Sequence, residues 1–215
     1  MPDDTHHPDL LLRHANRDRI LHWLVALAFL FVAASGLALF HPALYFLSGV
    51  LGGGAWSVLL HPFVGLALVL GFGLFALPLW QQNRLTPGDR IWLDRLRDVV
   101  DNRDDRLPEA GKFNAGQKVL YIVTVVCIAL LLVSGLLIWR RYFAGFFPGG
   151  VVRLGAVVHA FTAFVLVIGT IVHVVAAFWV KGSIRAMTRG TVTLGWAYKH
   201  HRAWFREMTR PASGR

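Results

Sequence analysis

The sequence predicts an all-α membrane protein, a four-transmembrane-helix bundle with both termini cytoplasmic. Three observations predict it. Hydrophobic residues make up 55% of the 215 and charged residues only 16%, where a soluble domain carries roughly 25% charge; the mean hydropathy is +0.52. Four apolar segments, at about 20–40, 58–80, 117–139 and 155–180, each supply the ~20 residues that carry a helix across a bilayer core. Lys and Arg are sorted unevenly between the flanks of these segments. The whole chain, 1–215, reads as a single membrane-integral domain.

Taken in order, the residues up to Asp18 form a polar tail with prolines and acidic residues, and do not read as a cleavable signal peptide. Span one follows from Ile20 to Phe40, and a glycine-rich loop containing Gly49 to Gly54 leads into span two, Val58 to Trp80. The long loop 81–116 is mixed in charge, and Ile91 to Val100 suits a short amphipathic surface helix. Span three runs from Gln117 to Trp139, an aromatic loop covers Tyr142 to Gly150, and span four runs from Gly155 to Val180. In the tail 181–215, Trp196, Tyr198, Trp204 and Phe205 suit an interfacial helix, and Lys199, His200, His201 and Arg202 read as solvated or headgroup-facing charge.

Three arginines in the N-terminal tail, eight basic residues in and beside the central loop, and eight from Lys181 onward make 19 on one side. Arg140, Arg141 and Arg153 make three on the other. The positive-inside rule then puts both termini and the central loop on the cytoplasmic side of the membrane. The net charge of +10 flanks apolar spans instead of forming a patch, so it reads as a topology signal and no nucleic-acid partner is implied. The one cysteine, Cys127, lies in an apolar run, which excludes a disulfide framework, a CxxCH haem attachment and iron–sulfur ligation within this chain.

Four histidines lie inside the apolar spans: His22, His61, His159 and His173. The last two are 14 residues apart, almost four helical turns, so they share one face about 21 Å apart along the axis. With span one entering from the cytoplasm and spans two and four entering from outside, depth matches His61 with His159 and His22 with His173. Each pair can clamp one iron porphyrin between two helices, giving two b haems with both axial positions filled and electron transfer as the chemistry. The ordinary reading of one membrane histidine is an interhelical hydrogen bond; two on one face with two depth-matched partners favour ligation, and two imidazoles alone make a poor zinc or copper site. Ser35, Gly36, Gly65, Ser134 and Gly135 offer either room for a flat macrocycle or ordinary close helix packing. His41, before Pro42, reads as a helix-end residue, and His6, His7, His14, His200 and His201 as tail residues.

A weak internal repeat accompanies them. Ser35-Gly36-Leu37 recurs as Ser134-Gly135-Leu136, and His61-Pro62-Phe63 resembles His159-Ala160-Phe161. Tyr121 then stands where His22 would be and Phe75 where His173 would be; duplication and coincidence among apolar segments both account for this.

The set His22-Trp23, His61-Pro62-Phe63, Phe113-Asn114-Ala115-Gly116-Gln117-Lys118 and Ala177-Phe178-Trp179-Val180-Lys181-Gly182-Ser183-Ile184 resembles the cytochrome b-556 (gamma) subunit of respiratory formate dehydrogenase. The resemblance implies His22 and His173 on an inner haem, and His61 and His159 on an outer one. It also implies that menaquinone or ubiquinone is reduced beside the inner haem in a site formed by Asn114 and Gly116, with Gln117 adjacent and His173 shared. An amide side chain and a glycine N–H suit a quinone carbonyl, while a helix N-cap and turn is the structural alternative for the same segment. The implied partners are a catalytic (alpha) and an iron–sulfur (beta) subunit on the outer side, with Tyr142, Phe143, Phe146, Phe147, Arg140 and Arg141 as docking residues or interfacial anchors. Electrons would pass inward to quinone, and this chain is not itself the formate-oxidising subunit. A cytochrome b serving another quinone-linked dehydrogenase, such as a hydrogenase, and a haem-free membrane scaffold are the rival readings.

Overall fold

The computed structural model describes residues 9–101, 103 and 106–210. His6 and His7 lie outside the described residues. Ten α-helices are described: α1 (Asn16–Phe40), α2 (Leu47–Val50), α3 (Gly54–Ala76), α4 (Pro87–Asp94), α5 (Leu96–Val100), α6 (Ala115–Ile138), α7 (Gly149–Trp179), α8 (Ser183–Arg189), α9 (Leu194–His200) and α10 (Arg202–Thr209). Four of them, α1, α3, α6 and α7, are long and apolar enough to cross a membrane.

Each long helix begins two to six residues before its apolar run. Hydropathy marks where lipid begins, whereas capping marks where a helix begins. At α6 the Asn114 Oδ1 accepts the Gln117 N–H at 2.9 Å and the Gln117 Oε1 accepts the Asn114 N–H at 3.0 Å, a reciprocal cap on the first turn. The 31 residues of α7 span about 46 Å, more than a bilayer core, so the helix either tilts or emerges from the hydrocarbon. The segment expected as one amphipathic helix from Ile91 to Val100 is two helices, interrupted at Arg95, which serves as the C-cap of α4 and the N-cap of α5.

The chain divides into two compact units. One comprises Ile20–Pro78 and Val123–His173, the apolar lengths of the four long helices. Its buried core is Leu68, Cys127, Ile128 and Leu166, with Phe29, Val32, Phe72 and Leu131 packed against it. Leu166 lies seven residues from His159 and seven from His173, so this apolar layer separates two histidine levels on α7. Most other large side chains of these helices face outward: Leu27, Leu30, Leu70, Leu74, Phe161 and Phe164 are all exposed. An apolar face of that extent is stable only in lipid or against a partner.

The other unit comprises the N-terminal residues to Arg19, Leu79–Ile122 and the chain from Val174. A two-stranded antiparallel sheet ties its first and last parts together: β1 (Leu10–Leu12) pairs with β2 (Thr191–Thr193), with Leu11 opposite Val192. Gly190, at φ +82°, ends α8 and turns the chain into β2; its carbonyl accepts the N–H groups of both Arg13 (2.8 Å) and His14 (3.1 Å). A side chain there would be strained by φ and would meet the His14 carbonyl at 2.8 Å. Ala186, Val192, Ala197 and Trp204 form the core of this unit.

Candidate functional site

Two histidine pairs meet in the first unit. His61 on α3 faces His159 on α7 with ring centroids 6.3 Å apart, and His22 on α1 faces His173 on α7, also at 6.3 Å. A metal–imidazole nitrogen bond of ~2.0 Å and roughly 1.1 Å from nitrogen to ring centre, taken on both sides, put two trans imidazole centroids about 6.2 Å apart. Each pair is therefore spaced to hold one iron between its two imidazoles, a donor set that would suit a b haem. Among the described residues, no three or more His, Cys, Asp or Glu side chains gather as an alternative metal site. The Nδ1 of His22 is buried and meets no hydrogen-bond partner among the described residues. Trp23 and Phe75 stand edge-on to its ring at 5.2 and 5.9 Å.

The small residues near the His61–His159 pair contact its imidazoles directly. The Ser35 Oγ lies 2.8 Å from His61 Nδ1, and the Ser134 Oγ lies 3.0 Å from His159 Nδ1. The adjacent glycines receive the same rings: a Cβ at Gly36 would meet His61 Cε1 at 3.2 Å, and one at Gly135 would meet His159 Cε1 at 3.3 Å. Gly65, one turn after His61, faces open space, with no atom within 4 Å of an added Cβ. Thus α1 braces His61 on α3, and α6 braces His159 on α7, by the same Ser-Gly device. The repeated tripeptide is matched by repeated contacts.

Asn114, Gly116 and Gln117 belong to the second unit and His173 to the first. In the reciprocal cap both amide oxygens of Asn114 and Gln117 accept backbone N–H groups. Their –NH2 groups remain donors, the polarity a quinone carbonyl requires. Gly116 has a packing reason of its own, since a Cβ would meet the Trp92 ring at 3.2 Å. Beside them, Lys118 Nζ donates to Asp89 Oδ2 at 2.7 Å, with both side chains about 10% exposed. Burial works to raise the Asp89 pKa, but the hydrogen bonds from Lys118 and from the Thr86 N–H (2.6 Å) and hydroxyl (2.8 Å) outweigh it and hold the carboxyl below its ordinary range.

His201 departs from expectation. It is not solvated charge; it is 2% exposed. Its Nδ1–H donates to the Gly111 carbonyl at 2.7 Å, which leaves Nε2 to accept from Arg13 Nη2 at 3.1 Å. Burial first, and the Arg13 charge second, push the His201 pKa down to about 3. Arg13, buried as well, also donates to the Lys112 carbonyl at 2.6 Å and lies 4.9 and 5.1 Å from the centroids of Trp196 and Trp204. Burial lowers its pKa to about 10. Two tryptophans, a neutral imidazole and the Lys112 carbonyl oxygen thus stand in for a carboxylate. The tryptophans assigned to an interface are partly used here, Trp204 being buried. His41 does act as a helix-end residue, its Nδ1 accepting the Ala43 N–H at 3.2 Å. Tyr142, Phe143, Phe146 and Phe147 are all exposed, and Phe63 and Tyr142 stand edge-on to Trp139.

Comparison with known proteins adds a family. The profile of the prokaryotic cytochrome b561 family matches residues 13–190. The cytochrome b556(fdo) subunit of formate dehydrogenase from Escherichia coli K12 is 37% identical over 202 residues, covering 94% of this chain and 95% of that protein. The nitrate-inducible cytochrome b556(Fdn) subunit from the same strain is 36% identical, with 94% and 93% covered. The formate dehydrogenase cytochrome b556 subunit of Haemophilus influenzae is 36% identical, with 92% and 83% covered.

Proposed function

The chain belongs to the prokaryotic cytochrome b561 family, and from that premise we propose that it is the diheme membrane-anchor subunit of a formate dehydrogenase. It is a membrane cytochrome b whose relatives carry the name of that complex. The observation that carries the finer reading is the equal 6.3 Å spacing of His22–His173 and His61–His159 at two levels of one bundle. His22 and His173 hold the inner of two b haems, His61 and His159 the outer. When bound, the two groups supply one-electron carriers whose potentials follow from ligands and surroundings.

This chain's residues do the rest. The distribution of Lys and Arg keeps both termini and loop 81–116 cytoplasmic. The –NH2 groups of Asn114 and Gln117, with first-turn N–H groups of α6 such as Gly116, donate to the carbonyls of menaquinone or ubiquinone, which takes its protons from the cytoplasm. Exposed Tyr142, Phe143, Phe146 and Phe147 present an aromatic surface on the outer side to an iron–sulfur subunit, which receives electrons from the formate-oxidising subunit.

The test is isolation in mild detergent from haem-replete cells, with haem-to-chain stoichiometry and identification of the accompanying subunits. Two b haems per chain, together with catalytic and iron–sulfur subunits that reduce quinone on adding formate, are expected. A colourless preparation or a single haem per chain overturns the diheme reading, and copurification with a hydrogenase instead overturns the assignment to formate.

A further inference from the structure

The hydrogen-bond pattern around the outer pair fixes a direction for each proton. A serine hydroxyl carries one hydrogen. The Ser35 Oγ lies 2.8 Å from the Phe31 carbonyl and 3.2 Å from that of Val32; the Ser134 Oγ lies 2.6 Å from the Leu130 carbonyl and 3.4 Å from that of Leu131. Each hydroxyl therefore gives its hydrogen to its own helix one turn back, a common use of serine in apolar helices. The oxygen presents only lone pairs to the neighbouring imidazole, so the proton in each Ser–His contact sits on Nδ1, and Nε2 carries the lone pair. Ser35 is fully buried and Ser134 is 2% exposed, so no bulk water competes for either hydroxyl. His22 shows the contrast: its buried Nδ1 meets no such acceptor among the described residues.

We propose that Ser35 and Ser134 are positioning residues for the outer haem iron: they set the Nε2-ligating tautomer of His61 and His159 and, by accepting both Nδ1–H groups, hold that iron at a lower potential than the inner one. This rests on the diheme reading above. An imidazole that donates its second N–H is the more basic ligand, and a more basic ligand favours the oxidised, more positive iron. The repeated Ser-Gly tripeptide applies that bias to both histidines of the pair, joined at His159 by a hydrogen bond with the Leu131 backbone. The inner pair receives no serine contact among the described residues, so the two levels differ in the sense that favours electron delivery toward His22 and His173. Gly36 and Gly135 are the second half of the device, because a side chain at either would displace the ring from its serine.

The experiment is an optical redox titration of the whole complex carrying Ser35→Ala, Ser134→Ala or both, with the outer haem identified as the one missing from His61→Ala. In the double variant, at the ambient potential where the wild-type outer haem is half reduced, the reduced-to-oxidised ratio should rise about tenfold, equivalent to ~59 mV for a one-electron couple. The inner haem should not move. Ser35→Thr and Ser134→Thr, which keep the hydroxyl, should restore the wild-type value. Should the alanine variants shed the outer haem, Ser35→Cys and Ser134→Cys, which keep a weaker acceptor, should raise its potential by a smaller step. Two retained haems with unchanged potentials, or an equal shift of both, overturn the proposal while leaving the diheme reading intact. A wild-type complex without two haems fails the diheme reading itself.

Discussion

Acid should loosen the unit that contains both chain ends, and His201 sets the size of the effect. The imidazole is neutral in the fold, with its pKa held at about 3, against about 6.5 when exposed. Above pH 6.5 both states are neutral and the group contributes no pH dependence. As pH falls below 6.5, the opened state takes up a proton that the closed state refuses. Opening is therefore favoured by about 1.4 kcal/mol per unit, until the folded pKa near 3 is reached. At pH 5 the loss is about 2 kcal/mol, roughly a thirtyfold rise in the open population. Around the ring stand Arg13, His14 and His200, and the Gly111 carbonyl that holds Nδ1–H; the His201→Gln variant separates its share from theirs. Hydrogen exchange of the α9 and α10 amides in detergent, corrected for the intrinsic pH dependence of exchange, reads the opening directly. Protection in wild type should fall between pH 7 and 5 by about thirtyfold more than in His201→Gln. Equal slopes in the two proteins would refute the reasoning.

Three further outcomes follow from named contacts. Replacing His61 or His159 by Ala should leave one haem per chain with its spectrum intact, and replacing His22 or His173 should remove the other haem together with quinone reduction; haem content and difference spectra decide. Lys118→Met should destabilise by about 3 kcal/mol, because it strands the Asp89 carboxylate in a nearly buried site, and adding Asp89→Asn should recover much of that, as thermal melts of the isolated complex would show. Asn114→Asp keeps a good helix N-cap but removes the amide donor, so it should slow quinone reduction while leaving both haems and the melting temperature near wild type; an unaffected quinone rate would reduce Asn114 to a cap alone.

Much of this molecule was legible before any coordinates. The four spans follow from apolar length, and the pairing of His22 with His173 and His61 with His159 follows from their depth on alternating helices. What sequence did not yield are contacts between elements distant along the chain. Ser35-Gly36 and Ser134-Gly135 were visible as a repeat, but that their hydroxyls brace imidazoles on neighbouring helices depends on helix rotation, which periodicity in uniformly apolar spans does not fix. Lys199-His200-His201-Arg202 looks like solvated charge because polar runs generally are; the neighbouring Trp196 and Trp204 were the available signal, since their rings lie beside Arg13, the partner of His201. Gly116 carries a packing constraint that the sequence did not show, since an added Cβ would meet the Trp92 ring at 3.2 Å.

The pairing of β1 with β2 has a consequence for biogenesis. Leu12 leaves the ribosome before all four long helices are made, and its partner Thr191 after them. At about 5–20 residues per second, the amino-terminal arm waits on the order of ten seconds or longer for the strand that completes it. A polypeptide released before Thr191 carries His22, His61, His159 and His173 but lacks both the strand that pairs with Leu10–Leu12 and the Trp196 and Trp204 rings beside Arg13.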